Sequence, residues 1–295
     1  MHEKRRGALR VAAACVVALV VARHSEGAPP RQPAKNPAAE CRVTGRIVSS
    51  EYRKSGGGIE RSIVYADPAS GGQPVADVIT KGEQFELRLP PGEYKFRFSA
   101  VGTRGATFDG KTLPVTVEPG QRTLQLEPVD LPTSKTTSLF GQTAPEIEGA
   151  IGWKHTKPGK LVDLRGRVVV LDFFAHYCTI CHVHAPELAR IAQKYRNQGL
   201  AVLAVHDDSV ASVAEMDEKI KPVVKQYWGG KDLAFPTALD GGGEKGIFRA
   251  YGISGIPAMI VIDPQGRVVR RFHHAGDPEF EKEIQRLLSS RPRRR

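Results

Sequence analysis

The chain has 295 residues, 40% of them apolar and 25% charged, the proportions of an ordinary soluble globular protein rather than a disordered or membrane-embedded one. That length holds one large domain or two ordinary ones, each able to bury its own core, and two are expected. The formal charge of +11 is carried in part by Lys4, Arg5, Arg6 and Arg10 at one end and Arg291, Arg293, Arg294 and Arg295 at the other. Basic ends without interleaved aromatics are solvated tails, so no nucleic acid partner is expected.

The N-terminal segment MHEKRRGALR is basic and precedes the uncharged run VAAACVVALVVA, Val11 to Ala22, the layout of a secretory signal peptide. Residues 1–22 are therefore read as an export signal, cleaved after Ala22 or Gly27, and the protein as periplasmic or associated with the cell envelope. The run has 12 residues, whereas a spanning helix needs about 20, which disfavours a retained anchor. Cys15 lacks a Leu three residues before it, which disfavours a lipid-anchored start. Removal of the signal leaves Cys41, Cys178 and Cys181. Among the disulfide-bearing partners of an exported protein a close thiol pair is a natural redox device, and Cys41 is left over, expected as an inert free thiol, with an intermolecular link as the alternative. Residues 23–40, including APPRQPAKNPAAE, have a linker composition.

From Cys41 short β-type runs alternate with turn residues: CRVTGRIVSS, RSIVYADP, FELRLPPGEYKFRFSAV, LPVTVEPG and TLQLEPV. Phe85, Leu87 and Leu89 alternate with polar residues, as do Tyr94, Phe96 and Phe98, with Pro90-Pro91-Gly92 as the turn between them. The pattern predicts an all-β, antiparallel sandwich over residues 41–130. The segment GEQFELRLPPGEYKFRFSA resembles the carboxypeptidase regulatory-like, transthyretin-like β domains. The resemblance carries no catalytic residue and implies a packing or spacer role.

Residues 131–290 form an α/β layout. Val168 to Phe174 is a buried strand, and APELARIAQKYRNQG follows with Leu188, Ile191, Ala192 and Tyr195 at helical spacing before the stop at Asn197 and Gly199. A second apolar strand covers 200–205, a helical segment interrupted by Pro222 lies around 210–227, and a strand is expected near Phe235 to Leu239. A short helix near Glu244 to Tyr251, two strands joined by Asp263-Pro264-Gln265-Gly266, and a helix from Pro278 to Leu288 complete the pattern. Residues 291–295 are the basic tail.

The thiols lie in HYCTICHVH, residues 176 to 184, which matches the redox C-x-x-C and the haem-attaching C-x-x-C-H at once. His176, Cys178, Cys181, His182 and His184 also offer ligands for copper or zinc. Position after a strand and at the start of a helix favours redox chemistry, because free backbone N–H groups and the helix dipole lower the pKa of the first thiol. Cys178 is the expected nucleophile, more exposed than Cys181, and Cys181 lies one turn on, close enough to close a disulfide. Haem attachment would consume both thiols. His182 and His184 are two apart on a helix and point in different directions, so exposed histidines that make the site electropositive are the favoured alternative to a metal site. No cofactor is expected. A non-enzymatic binding module built on the β region is the remaining class.

The second pointer is YGISGIPAMIVID, where Pro257 opens a strand and cannot sit in mid-ladder. With GQTAPE at 141 to 146, LRGRVVVLDFFAHYCTIC, Pro186 and GIPAMIVIDPQGRVV, the segment from about 139 to 290 resembles the thioredoxin fold and, more closely, the TlpA-like and ResA-like exported thiol-disulfide oxidoreductases. The resemblance implies an attacking thiol at Cys178, a resolving thiol at Cys181 that closes the Cys178–Cys181 disulfide, and a cis proline at Pro257 whose neighbour Ile256 offers backbone to a partner peptide. Tyr177 takes the place of the family's Trp beside the first thiol, where it would touch the partner. The implied partners are protein thiols and disulfides, with a membrane-bound redox protein as a further candidate. Asp172 matches a buried acid, and a lone carboxyl inside VVVLDFF is costly unless it acts; burial would raise its pKa and let it relay the proton of Cys181. Thr179-Ile180 in place of Gly-Pro, and His184 in place of a Glu, leave the direction of electron flow open. AVLAVHDDS resembles the related peroxiredoxin branch, but Leu171 and Ala175 stand where its peroxidatic Pro and Thr or Ser are required.

Overall fold

The computed structural model describes residues 40–157, 159–232 and 235–290. The expected signal at 1–22, the linker short of Glu40 and the basic tail at 291–295 lie outside the described residues. Among the described residues no helix is long and apolar enough to cross a membrane.

The first part is sheet-rich. Its elements are β1 (Cys41–Val48), the short helix α1 (Ser50–Lys54), β2 (Ile59–Pro68), β3 (Ala76–Lys81), β4 (Gln84–Leu89), β5 (Gly92–Gly102), β6 (Lys111–Val117), β7 (Thr123–Gln125) and β8 (Val129–Asp130). One sheet runs β4-β1-β7 with β8 also on β1, and the other runs β3-β2-β5-β6. The alternation does its expected work: Phe85, Leu87 and Leu89 from one sheet and Tyr94, Phe96 and Phe98 from the other enter a single core with Val43, Ile47 and Val64. Cys41 is an inward residue of β1, fully buried and free, and burial pushes its thiol pKa up.

Two details correct the sequence reading. The strands are not all antiparallel, since β1 pairs in parallel with β7 and β8. Pro90-Pro91 carries the chain between sheets: β4 pairs with β1, whereas β5 pairs with β2 and β6. The Tyr94 hydroxyl donates back to the Pro90 carbonyl at 2.8 Å and pins this crossing.

The second part contains α2 (Lys135–Ser138), β9 (Ala150–Lys154), β10 (Val168–Phe174), α3 (Thr179–Tyr195), β11 (Leu200–His206), α4 (Val213–Tyr227), β12 (Thr237–Asp240), α5 (Ile247–Tyr251), β13 (Ala258–Ile262), β14 (Val268–Phe272) and α6 (Pro278–Ser289). Its six-stranded sheet has the order β14-β13-β10-β11-β12-β9. The centre, β10, β11 and β12, is parallel and the flanking strands are antiparallel. Strand period two divides β10 between two cores. Val169, Leu171 and Phe173 pack with Ile247 and Tyr251 of α5, whereas Val168 and Val170 pack under Leu188, Ile191 and Tyr195 of α3 and Phe280, Ile284 and Leu287 of α6. Asp172 is the next residue in the Val168, Val170 row, so the fold places one carboxyl in an apolar stripe beneath α3.

Pro222 does not interrupt α4, which runs through it on an exposed face. Pro186 likewise lies inside α3. Its missing N–H leaves the carbonyl four residues back, that of His182, without a helical partner. The Trp228 indole N–H fills the gap at 3.0 Å.

Candidate redox site

Strand β10 ends at Phe174, the chain turns through Ala175, His176 and Tyr177, and Cys178 is the N-cap of α3. The Cys178 sulfur accepts the Cys181 backbone N–H at 3.2 Å, one of the donors that a helix N-terminus leaves unused. Cys178 and Cys181 form a disulfide with an S–S distance of 2.04 Å and Cα atoms 5.3 Å apart. Exposure does not separate the two cysteines as expected: they are 9% and 8% exposed. Both pack with Phe174, Met216 and Ile220, so their difference lies in backbone position, with Cys178 at the dipole end and Cys181 one turn inside.

Behind the disulfide are two small cavities. One, of about 30 Å³, is lined by the polar groups of Asp172, Cys181, His182, Lys154, Trp228, Asp232 and Thr237 and by apolar residues. The other, of about 10 Å³, joins Asp172 and Cys181 to Pro257, His184 and His274. Asp172 lines both cavities, and burial pushes its carboxyl pKa up to about 7. Ile256-Pro257 is a cis peptide. Ile256 and Tyr177 line one wall of an outer cleft of about 310 Å³ with Asp207, Asp208, Phe248 and Arg249. Around the disulfide Tyr177, Ile180 and Val183 are 62%, 55% and 51% exposed, an apolar rim of the kind that marks a contact surface. The residues singled out from the sequence, Asp172, Tyr177, Cys178, Cys181, Ile256 and Pro257, thus converge where β10 ends and its neighbour β13 begins.

The histidines depart from expectation. His182 is 2% exposed, and burial, the largest influence, moves its pKa below the ordinary imidazole range. His184 stacks on His274 with centroids 3.7 Å apart, and burial followed by that neighbour lowers its pKa too. They do not make the site electropositive, because covered imidazoles favour the neutral form. They also leave α3 in different directions, His182 toward Trp228 and His184 toward His274.

His206 and Asp207 were not singled out as site residues. His206 pairs with Phe174 in register at the end of β11. Its Nε2 accepts the His176 N–H at 3.0 Å and its Nδ1 lies 2.9 Å from the Asp207 carbonyl oxygen. Asp207 accepts the Tyr177 hydroxyl at 2.5 Å. These bonds hold the turn that presents Cys178. A polar pair directly after the apolar run LAVLAV was the available signal.

Residues 140–271 match the AhpC/TSA family. Within that segment Leu171 and Ala175 still occupy the positions a peroxidatic Pro and Thr or Ser would need. The chain is 34% identical over 113 residues to the thiol-disulfide oxidoreductase ResA of Bacillus thuringiensis subsp. konkukian, covering 38% of this chain and 58% of the relative. It is 32% identical over 149 residues to the protein DipZ of Mycobacterium bovis, covering 50% of this chain and 20% of the relative. A thiol:disulfide interchange protein of the thioredoxin family from Chlorobium tepidum TLS aligns in structure with 21% identity and a TM-score of 0.38, over 50% of this chain and 95% of that one. The chain therefore spans less than two thirds of the length of these curated relatives. Its C-terminal half is thioredoxin-like, with a parallel centre, antiparallel flanks and the paired cysteines at the first strand-to-helix junction.

Proposed function

We propose that this protein is an exported thiol-disulfide oxidoreductase that exchanges disulfides with protein partners through Cys178 and Cys181. The observation that carries the reading is the disulfide at the start of α3, its N-cap sulfur facing a backbone N–H and a buried acid behind it. The helix terminus favours the Cys178 thiolate, which attacks the partner. Cys181 resolves the mixed disulfide, and Asp172 receives the Cys181 proton. Ile256, Pro257 and Tyr177 hold the partner's peptide, in keeping with their place along the outer cleft and the apolar rim. Residues 131–290 are the catalytic domain, which a membrane-bound redox protein recharges. Residues 41–130 are a carboxypeptidase regulatory-like β-sandwich acting as a spacer, in keeping with two sheets that share one core. The basic and apolar pattern of residues 1–22 supports export.

Turnover of a model protein disulfide tests the proposal. The reduced protein is expected to reduce insulin with dithiothreitol as electron source, and Cys178→Ser to lose that activity. A folded wild-type protein that neither reduces nor oxidises any model disulfide would refute it.

A further inference from the structure

Three facts about His182 stand together. Its ring is 2% exposed, set edge-on against Trp228 with centroids 5.6 Å apart and planes at 67°. Its Nε2 lies 2.9 Å from the His176 carbonyl oxygen, so Nε2 carries the hydrogen and Nδ1 is left as a bare acceptor. Nδ1 is buried with no hydrogen-bond partner in the protein. Leaving such an acceptor unsatisfied costs about 1–3 kcal/mol, which a leucine or phenylalanine would avoid while filling the same space. The ring also lines the cavity of about 30 Å³ that Asp172 and Cys181 share. One water needs about 10–15 Å³ and several polar partners, and this cavity offers both.

We propose that His182 is a positioning residue of the exchange reaction: water in this cavity links its Nδ1 to Asp172, and the proton leaving Cys181 passes by way of Asp172 to that nitrogen. The inference rests on the thiol-disulfide reading. In the resolving step the Cys181 thiol gives its proton to the Asp172 carboxylate. The resulting thiolate attacks the Cys178 sulfur of the mixed disulfide, the Cys178–Cys181 bond forms, and the bond from Cys178 to the partner's sulfur breaks. The partner leaves as a thiolate with the electron pair, so the cysteine pair loses two electrons and the partner gains them. Asp172 passes its proton through the water to Nδ1 and becomes a carboxylate again. The opposite electron flow runs these transfers in reverse.

The groups around the ring keep Nδ1 free of a proton at rest, so that it serves as a transient station and not as a lasting store of the proton. Burial holds the imidazole neutral, the His176 carbonyl on Nε2 opposes this, and the His176 ring adds to it. His206 stacks behind His176. Lys154 and Asp232 line the cavity beside Asp172, and Lys154 Nζ is held by Asp232 at 2.5 Å and Asp217 at 2.6 Å.

The test is a two-phase thiol assay on the reduced full chain in a Cys15→Ser, Cys41→Ser background, which leaves only the Cys178 and Cys181 thiols. Reaction with dithiobis(nitrobenzoate) releases one coloured thiolate when Cys178 attacks and a second when Cys181 resolves. His182→Gln keeps an amide N–H at the Nε2 position and removes the Nδ1 acceptor. The second phase is expected to slow about tenfold near neutral pH, at the weak end of general acid–base effects. The deficit should fade above pH ~9, where a thiol of ordinary pKa ~8.5 ionises unaided, and the first phase should hold within twofold. A second phase unchanged, or slowed equally at every pH, overturns the inference. Asp172→Asn run in parallel separates the two levels of the argument: if it slows the second phase and His182→Gln does not, the role of His182 alone falls. If neither slows it, the proton relay through Asp172 falls as well. Should His182→Gln fail to fold, the ring nitrogen chemical shifts of the wild-type protein decide: a bare Nδ1 in the oxidised protein is expected, and a hydrogen on Nδ1 overturns the inference.

Discussion

Asp172→Asn should stabilise the protein, and by an amount that depends on pH. Burial moves the Asp172 carboxyl from 3.8 to about 7, about three units, and each unit corresponds to about 1.4 kcal/mol. The ionised side chain therefore costs the fold up to about 4 kcal/mol, an upper bound because Asp172 keeps some accessible surface. The sign follows from linkage. Below 3.8 both folded and unfolded chains hold the proton and stability is complete; between 3.8 and about 7 only the unfolded chain ionises and stability falls; above 7 the loss is complete. Asn has no proton to lose, so the gap between variant and wild type should be small at pH ~4 and about 3–4 kcal/mol at pH ~8. Urea unfolding followed by tryptophan fluorescence reads it, since both tryptophans, Trp153 and Trp228, belong to the thioredoxin-like half. With a slope of about 2 kcal/mol/M, the variant's midpoint should exceed the wild type's by about 1.5 M or more at the higher pH. A gap that is equal at both pH values, or larger at the lower one, would refute the reasoning that burial sets this carboxyl.

Gly105, in the turn Thr103–Gly105 after β5, has φ +72° and lies against the Arg271 carbonyl of β14; Gly105→Ala should cost more than about 1 kcal/mol, read as a lower Tm with the exchange rate unchanged, and an unaltered Tm would contradict that contact. A fragment of residues 131–290 keeps the Thr136 hydroxyl bond to the Tyr251 carbonyl at 2.8 Å and every residue of the site, so it should exchange disulfides at the rate of the full chain. A soluble, folded fragment without exchange would contradict the assignment of catalysis to that segment.

Legibility in the sequence followed burial contrast. Strand β10 and the apolar runs of β11 and β13 are covered on both faces and announce themselves as continuous apolar segments. Strands β4 and β5 show clean alternation because one face is core and the other is solvent. The edge strands β3 and β9 escaped notice: β3 alternates half-buried and exposed residues and β9 is mostly half-buried, but each carries an isoleucine on its exposed side, Ile79 at 60% and Ile151 at 58%, so apolar residues do not mark the covered face. The inter-sheet crossing at Pro90 was hidden for another reason, since a turn of that composition serves a hairpin or a crossing equally, and only strand pairing separates them. At the site, spacing disclosed the cysteines, the buried acid and the Ile-Pro step. The burial of His182 was invisible because it depends on Trp228, 46 residues away, filling the gap that Pro186 leaves in the helix. The anchoring role of His206 was equally non-local, arising from the register of β11 against β10.

The central claim is that Cys178 and Cys181 have unequal roles, and covalent trapping addresses it most directly. Cys181→Ser and Cys178→Ser, each with Cys15→Ser and Cys41→Ser so that neither of the other two cysteines can mimic a trapped partner, are isolated from cells and run on non-reducing gels. Cys181→Ser should accumulate mixed disulfides with partner proteins that a reductant releases, and Cys178→Ser should accumulate none. Equal trapping by both variants, or trapping by Cys178→Ser alone, would contradict the assignment of Cys178 as the attacking thiol.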